Sequence, residues 1–333
     1  MLPILYEIPH SRPMEGHSPL AGEGAVSVGN LEGQARTIGG RTWQTSVSAE
    51  KSWTGSGYTV ALLSLLLAIL YAPVLGSMAR QWWDDPNYGH GFFVPIFAAY
   101  VLWHERDRWQ RLPLRTNDAG FAIMFFGIAL LILGTLGAER FTARMSLLVV
   151  ISGIVVFLAG WQAIRAIAFP IGYSLFMIPL PSIIYYQLTF PLQLLASRLG
   201  ATGLIAVGIH TVREGNLLIL PNCTLDVVDA CSGIRSLLSL LAAVVAYGYM
   251  AEPSAWKRFA LAGAAVPIAI LTNGLRLIAT GVLSYFYGPT VDSGVVHLVL
   301  GLGFFALAFI LVLLIHKLLA LFPQFQNSAP VCT

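Results

Sequence analysis

The chain has 333 residues, of which 56% are hydrophobic and only 11% charged, with a formal net charge of +3. Soluble domains carry about 25% charged residues, and the mean hydropathy here is +0.73. This composition excludes a soluble enzyme, a disordered chain and a small disulfide framework. It predicts an all-α, polytopic membrane protein with the lipid bilayer as its first partner. Basic residues stand in short clusters between apolar runs rather than in one patch, so no nucleic-acid partner is expected. The cysteines Cys223, Cys231 and Cys332 are too few for a cysteine-based zinc or iron–sulfur framework. No metal or cofactor is implied.

Residues 1–57 are rich in Gly, Ser, Pro and Glu and are expected to be a disordered cytoplasmic tail, with His10 and His17 solvated in it. A cleaved signal peptide needs an apolar stretch of about 7–15 residues, and this segment has none. Apolar segments follow at 58–79, 89–105, 119–138, 145–161, 166–182, 232–251, 258–283 and 295–316. A spanning helix takes about 20 such residues, so about eight spans are expected over a membrane domain at 58–316. A short cytoplasmic tail, 317–333, completes the chain. The second segment is short, and the fifth holds Pro170 and Pro179, which predict a kink or break.

Short loops rich in Lys and Arg face the cytoplasm. Arg106, Arg108, Arg111 and Arg115 make the strongest such loop, and counting from it puts Arg165, Lys257, Arg258 and Lys317 inside as well. Arg140 and Arg144 fall outside, against the pattern. Residues 183–231 are the long outer stretch. Ile183 to Leu199, with Gln187, Gln193 and Arg198 among apolar residues, reads as an interfacial amphipathic helix. Alternating Leu217, Ile219, Leu225 and Val227 around Pro221-Asn222 predict a short surface hairpin. Asn222-Cys223-Thr224 has the form of a glycosylation acceptor. No internal repeat is visible, which disfavours an inverted-repeat transporter.

Ionisable groups inside spans are costly, and that makes them candidates for function. Cys231 opens the sixth span in DACSGIRSL. A helix N-terminus favours the thiolate, and Arg235 one turn on adds positive charge, whereas Asp229 opposes it. The alternative for Cys231 is a structural thiol or a disulfide to Cys223. Arg276 lies deep in the seventh span, with Asn273 three residues earlier on the same face. His297 begins the last span. The loop WWDDPNYGHGFFVP (82–95) offers Asp85, Tyr88 and His90, either as a turn with interfacial anchors or as a substrate-binding loop. The expected topology brings these to one membrane face: a helix rising from Arg258 carries Arg276 about 27 Å outward. A thiol, a guanidinium and an imidazole from separate spans then form the set that acyl transfer uses.

These residues also carry a resemblance. ACSGIRSLLSLLA (230–242), PIAILTNGLRLIATG (267–281), VVHLVLG (295–301) and YGHGFFVPIFAAYVLW (88–103) resemble the exosortase/archaeosortase family of membrane cysteine transpeptidases over residues 58–316. The resemblance implies catalytic Cys231, Arg276 and His297, with Arg235, Asn273, His90, Asp85 and Tyr88 in binding or supporting roles. It implies substrates that are secreted proteins ending in a Pro-Glu-Pro-like motif, a spanning helix and a basic tail. It also implies an unidentified acceptor nucleophile, a bacterial inner-membrane location with the site facing outward, and a link to exopolysaccharide production. From the residues alone two other readings stay open: a transporter lined by Arg276 and Asn273, and a non-catalytic assembly protein for exopolysaccharide.

Overall fold

In lipid the backbone has no partner but itself, so long apolar runs fold as helices. The computed structural model describes residues 57–113, 115–227, 233–288 and 294–321. Its helices are α1 (Gly57–Asp84), α2 (Phe93–His104), α3 (Arg106–Gln110), α4 (Ala119–Leu136), α5 (Arg140–Ala166), α6 (Ala168–Tyr173), α7 (Ser182–Ala206), α8 (Ile234–Ala251), α9 (Ala255–Tyr287) and α10 (Gly294–Ala320). A 3-10 turn at Pro86–Phe92 leads into α2, and another at Ser174–Met177 follows α6. The chain is an all-α polytopic membrane protein. The tail expected at 1–57 lies outside the described residues except for Gly57, and so does the C-terminal tail beyond 321. The last helix runs past its expected end at 316 to Ala320.

Helices α1, α4, α5, α8, α9 and α10 are the six long and apolar enough to cross a membrane. Ala168–Met177 and Ser182–Ala206, bent by 76°, add a seventh if they count as one broken span. The expected eight is not reached, for local reasons. The second segment yields only the 12 residues of α2, about 18 Å of rise against a core of about 30 Å. The fifth loses its start to α5, which continues through Arg165 to Ala166, and its prolines leave only α6 and a turn. The helix expected at 183–199 is α7, 25 residues long, whose buried face carries Thr189, Gln193, Ser197 and Leu204.

Hydrogen bonds and ring stacking hold both short segments at their two ends. At one end Trp82 Nε1 donates to the Met177 carbonyl at 2.9 Å. At the other, Phe169 stacks on Tyr249, whose hydroxyl donates to Glu105 at 2.6 Å. Helix α5 links the same two ends. Its first turns carry Arg144, and its kink at Gly160 (φ +82) lies against the Arg115 carbonyl.

Helix association in lipid depends on close van der Waals approach, so small residues gather where helices meet. Gly120, Gly127 and Gly134 of α4 face α5 at intervals of one heptad. A Cβ on Gly127 would sit 2.6 Å from Val150 Cγ2, and one on Gly134 2.5 Å from Ala143 N. Gly200 and Gly203 similarly let α7 close on Leu277 and Ile278 of α9. Over this pair lies an antiparallel sheet, β1 (Val212–Glu214), β2 (Leu217–Ile219) and β3 (Thr224–Asp226), in that order. Leu218 pairs with Leu225, and both are buried with Ala196, Leu204 and Leu277. The hairpin expected around Pro221-Asn222 is β2–β3. The added strand β1 is exposed at all three residues, so it lacks the alternation that marks a half-buried strand.

Candidate active site

The site is built where α8, α9 and α10 meet. Arg276 is buried on α9 together with Thr272, Asn273 and Thr280. His297, the fourth residue of α10, faces it, with Arg276 Nη2 2.8 Å from His297 Nε2. A guanidinium only donates, so the imidazole nitrogen accepts. In this arrangement the ring is neutral, with its proton on Nδ1. One turn past His297, a Cβ on Gly301 would stand 3.6 Å from the guanidinium carbon. Glycine there lets the planar group lie close to α10. Arg276 Nε is buried with no hydrogen-bond partner among the described residues, which leaves donor capacity beyond the histidine.

Helix α8 begins at this point. Its N-cap, Gly233, has φ +72, a left-handed conformation that favours glycine. A Cβ there would lie 3.2 Å from Asn273 Nδ2. Asn273 therefore underlies the entry of the chain into α8. Cys231, two residues before Gly233, lies outside the described residues. Cys223 is half-buried after β2, and its carbonyl accepts from Leu220 N at 2.8 Å.

A cavity of about 1020 Å³ opens over these groups. Arg276, His297, Gly233, Arg235, Asp85 and Tyr88 all line it, so most of the residues singled out in the sequence share one cavity. Asp85 is engaged in shaping its lining: its Oδ1 accepts from Asn87 N at 2.9 Å and from Asn87 Nδ2 at 2.8 Å. Burial, with Tyr185 and Asp85 nearby, pushes the Tyr88 phenol up to about 12, so it stays protonated.

Two expected residues stand elsewhere. His90 does not line the cavity. Its Nδ1 lies 3.3 Å from Ser239 Oγ on α8. Burial pushes its imidazole down, although a hydrogen bond to the Phe176 carbonyl acts the other way. Asn273 lies beneath the cavity, beside a void of about 10 Å³ that it shares with Ser236, Arg276 and Gly301. Neither residue lines the cavity.

A further part of the cavity went unread in the sequence. Glu139, Arg140 and Arg144 line it, with Pro179, Pro181 and Tyr185. The available signal was the basic pair Arg140 and Arg144 in a loop expected to face outward. Among the described residues no group of three or more His, Cys, Asp or Glu side chains could hold a metal ion.

A cavity with a buried guanidinium, a neutral imidazole and a helix N-terminus in its lining can bind a carbonyl, move a proton and stabilise an anion. In comparison with known families, the model described as Transmembrane exosortase (Exosortase_EpsH) matches residues 82–314, more than two thirds of the chain. The matched stretch runs from the last turn of α1 to the last helix and includes Arg276, His297, Gly233, Arg235, Asp85 and Tyr88. No curated protein and no solved structure matches the chain.

Proposed function

The chain belongs to the transmembrane exosortase family, and from that premise we propose that it is a cysteine transpeptidase or endopeptidase of the bacterial inner membrane. Its substrates are secreted proteins that end in a short Pro-Glu-Pro-like motif, a spanning helix and a basic tail. Its cavity faces the extracytoplasmic side, and its products serve exopolysaccharide-producing cells. One observation carries the reading: Arg276 and His297, from two helices, meet at 2.8 Å beside a cavity also lined by Gly233, the N-cap of α8, which follows Cys231 by two residues in the sequence. Covalent geometry alone tethers Cys231 within about 7 Å of Gly233, Cα to Cα.

The Cys231 thiol attacks the scissile carbonyl carbon, and its proton passes to His297 Nε2. That nitrogen is first released from Arg276, whose Nη2 turns to the developing oxyanion. The tetrahedral intermediate collapses with loss of the C–N bond, and the imidazolium returns the proton to the departing amine. A thioester acyl-enzyme remains. An amine acceptor completes transpeptidation, and water completes proteolysis.

The test is co-expression of the full chain with a reporter carrying the motif, spanning helix and basic tail. Cys231→Ala is expected to abolish processing, and Cys231→Ser nearly so, because a hydroxyl is the weaker nucleophile. Cys223→Ala is expected to be tolerated. Alkylation without reductant followed by mass spectrometry then reports the thiols. A Cys223–Cys231 bridge in active preparations, with both Ala variants equally damaged, would overturn the nucleophile assignment.

A further inference from the structure

Arg144 forms no ion pair at contact distance among the described residues, and the Glu139 carboxylate acts on it only at longer range. The arginine is 3% exposed, it lines the cavity, and its Nε has no hydrogen-bond partner among the described residues. A buried charge persists when something pairs it, and the chain's own acids lining this cavity are committed elsewhere. Glu139 caps α5, its carboxylate accepting from the Phe141 and Thr142 amides. Asp85 holds the turn at Asn87. Tyr88, protonated as described, supplies no negative charge. Placement sharpens the point. Arg140 and Arg144 occupy the first turns of α5, where the helix dipole disfavours cations and favours anions. The unpaired, buried Nε of Arg144 in the cavity lining is therefore placed to meet an anion that arrives from outside the chain.

We propose that Arg144 anchors the side-chain carboxylate of an acidic residue in the peptide that enters the cavity, and so sets its sequence preference. The proposal rests on reading the cavity as a peptide site. A guanidinium meets a carboxylate as a planar fork, and the unpaired Nε is one tine of it. The neighbouring wall suits an extended chain: the Tyr88 and Tyr185 rings lie 6.2 Å apart, and Pro179 and Pro181 edge the same space. A lipid phosphate would instead be met by exposed, snorkelling side chains at the rim. Arg140 is exposed in that way, and Arg144 is not.

The test separates binding from chemistry by using the full-length Cys231→Ala chain in phosphatidylcholine nanodiscs. The probes are a fluorescein-labelled pentapeptide, Ala-Pro-Glu-Pro-Ala, and its twin with Gln at the centre, followed by fluorescence anisotropy. The Glu peptide is expected to bind roughly tenfold or more tighter, the range of a charge-assisted bond. Arg144→Gln is expected to bind both peptides alike, and Arg144→Lys to keep part of the preference. Equal binding by the chain with Arg144 intact needs no variant to fold, and it overturns the proposal. A preference that survives Arg144→Gln, or no binding of either peptide, overturns it as well. Arg144-dependent competition by phosphatidylglycerol in the nanodisc, without a Glu preference, assigns the site to a headgroup instead. Reporter processing by the wild-type chain is scored separately, so failure of the cysteine mechanism and failure of the Arg144 assignment are distinguishable.

Discussion

The bond between Arg276 and His297 makes the arginine a fork with one tine engaged and Nε uncommitted. A lysine ammonium cannot reproduce that plane of donors. Arg276→Lys is therefore expected to lower reporter processing by roughly 10²–10³, the cost of losing one oxyanion donor, with insertion and yield unchanged. Near-normal processing by the Lys variant, measured at matched membrane levels, would make Arg276 a charge or packing residue. Arg276 was legible because a guanidinium inside an apolar run is conspicuous. Arg144 was not, because it stands beside a loop, where polar residues are ordinary. Tyr88 and His90 show a different limit. A 3-10 turn advances about 120° per residue, so residues two apart face different sides. Tyr88 meets the cavity and His90 meets Ser239, a division that the string NYGHG does not reveal without the turn type.

Hydropathy finds apolar stretches, and the long helices follow from it. It does not show whether a stretch continues as one helix. The second and fifth segments are apolar enough to be noticed, yet Pro86 opens a turn in one and Pro170 interrupts the other. The heptad of glycines in α4 is the opposite case: a packing signal in plain sight with no chemical side chain to draw attention. Val150 Cγ2 leaves no room for a side chain at Gly127. Gly127→Leu is expected to destabilise the α4–α5 pair by about 1–3 kcal/mol, as overpacking does. Gly263 on α9 has open space around it, so Gly263→Ala is expected to be neutral or slightly stabilising. Fluorescence-detected gel filtration after a heating series measures both. Equal melting of the Leu variant and the parent would show that the pair does not need its close approach.

Across the whole molecule, groups far apart in sequence sort to two ends. Asp85, Arg144, Arg235 and His297 gather at the cavity, and Glu105, Tyr249 and the Arg115 carbonyl lie at the opposite end. The basic residues that follow Glu105 are thereby at the end of the bundle away from the cavity. In a chain lacking its native cysteines, Glu214→Cys is expected to react with an impermeant maleimide in cells whose outer membrane is permeabilised. Leu112→Cys is expected to stay unlabelled until the inner membrane is opened, and labelling at 112 before then would invert the topology. Helix α10 joins the two ends. Its His297 meets Arg276, and its His316 bonds the Tyr247 hydroxyl at 2.7 Å and the Glu252 carboxylate at 3.3 Å. About 28 Å of rigid helix separates the two imidazoles, and the rod is pinned at each tip. Sliding it by one residue would carry both rings about 1.5 Å along the axis and swing them through roughly 100°. The alignment of the His297 imidazole at one end is thus held by a clasp at the other, like a key kept at its depth by the far end of the lock.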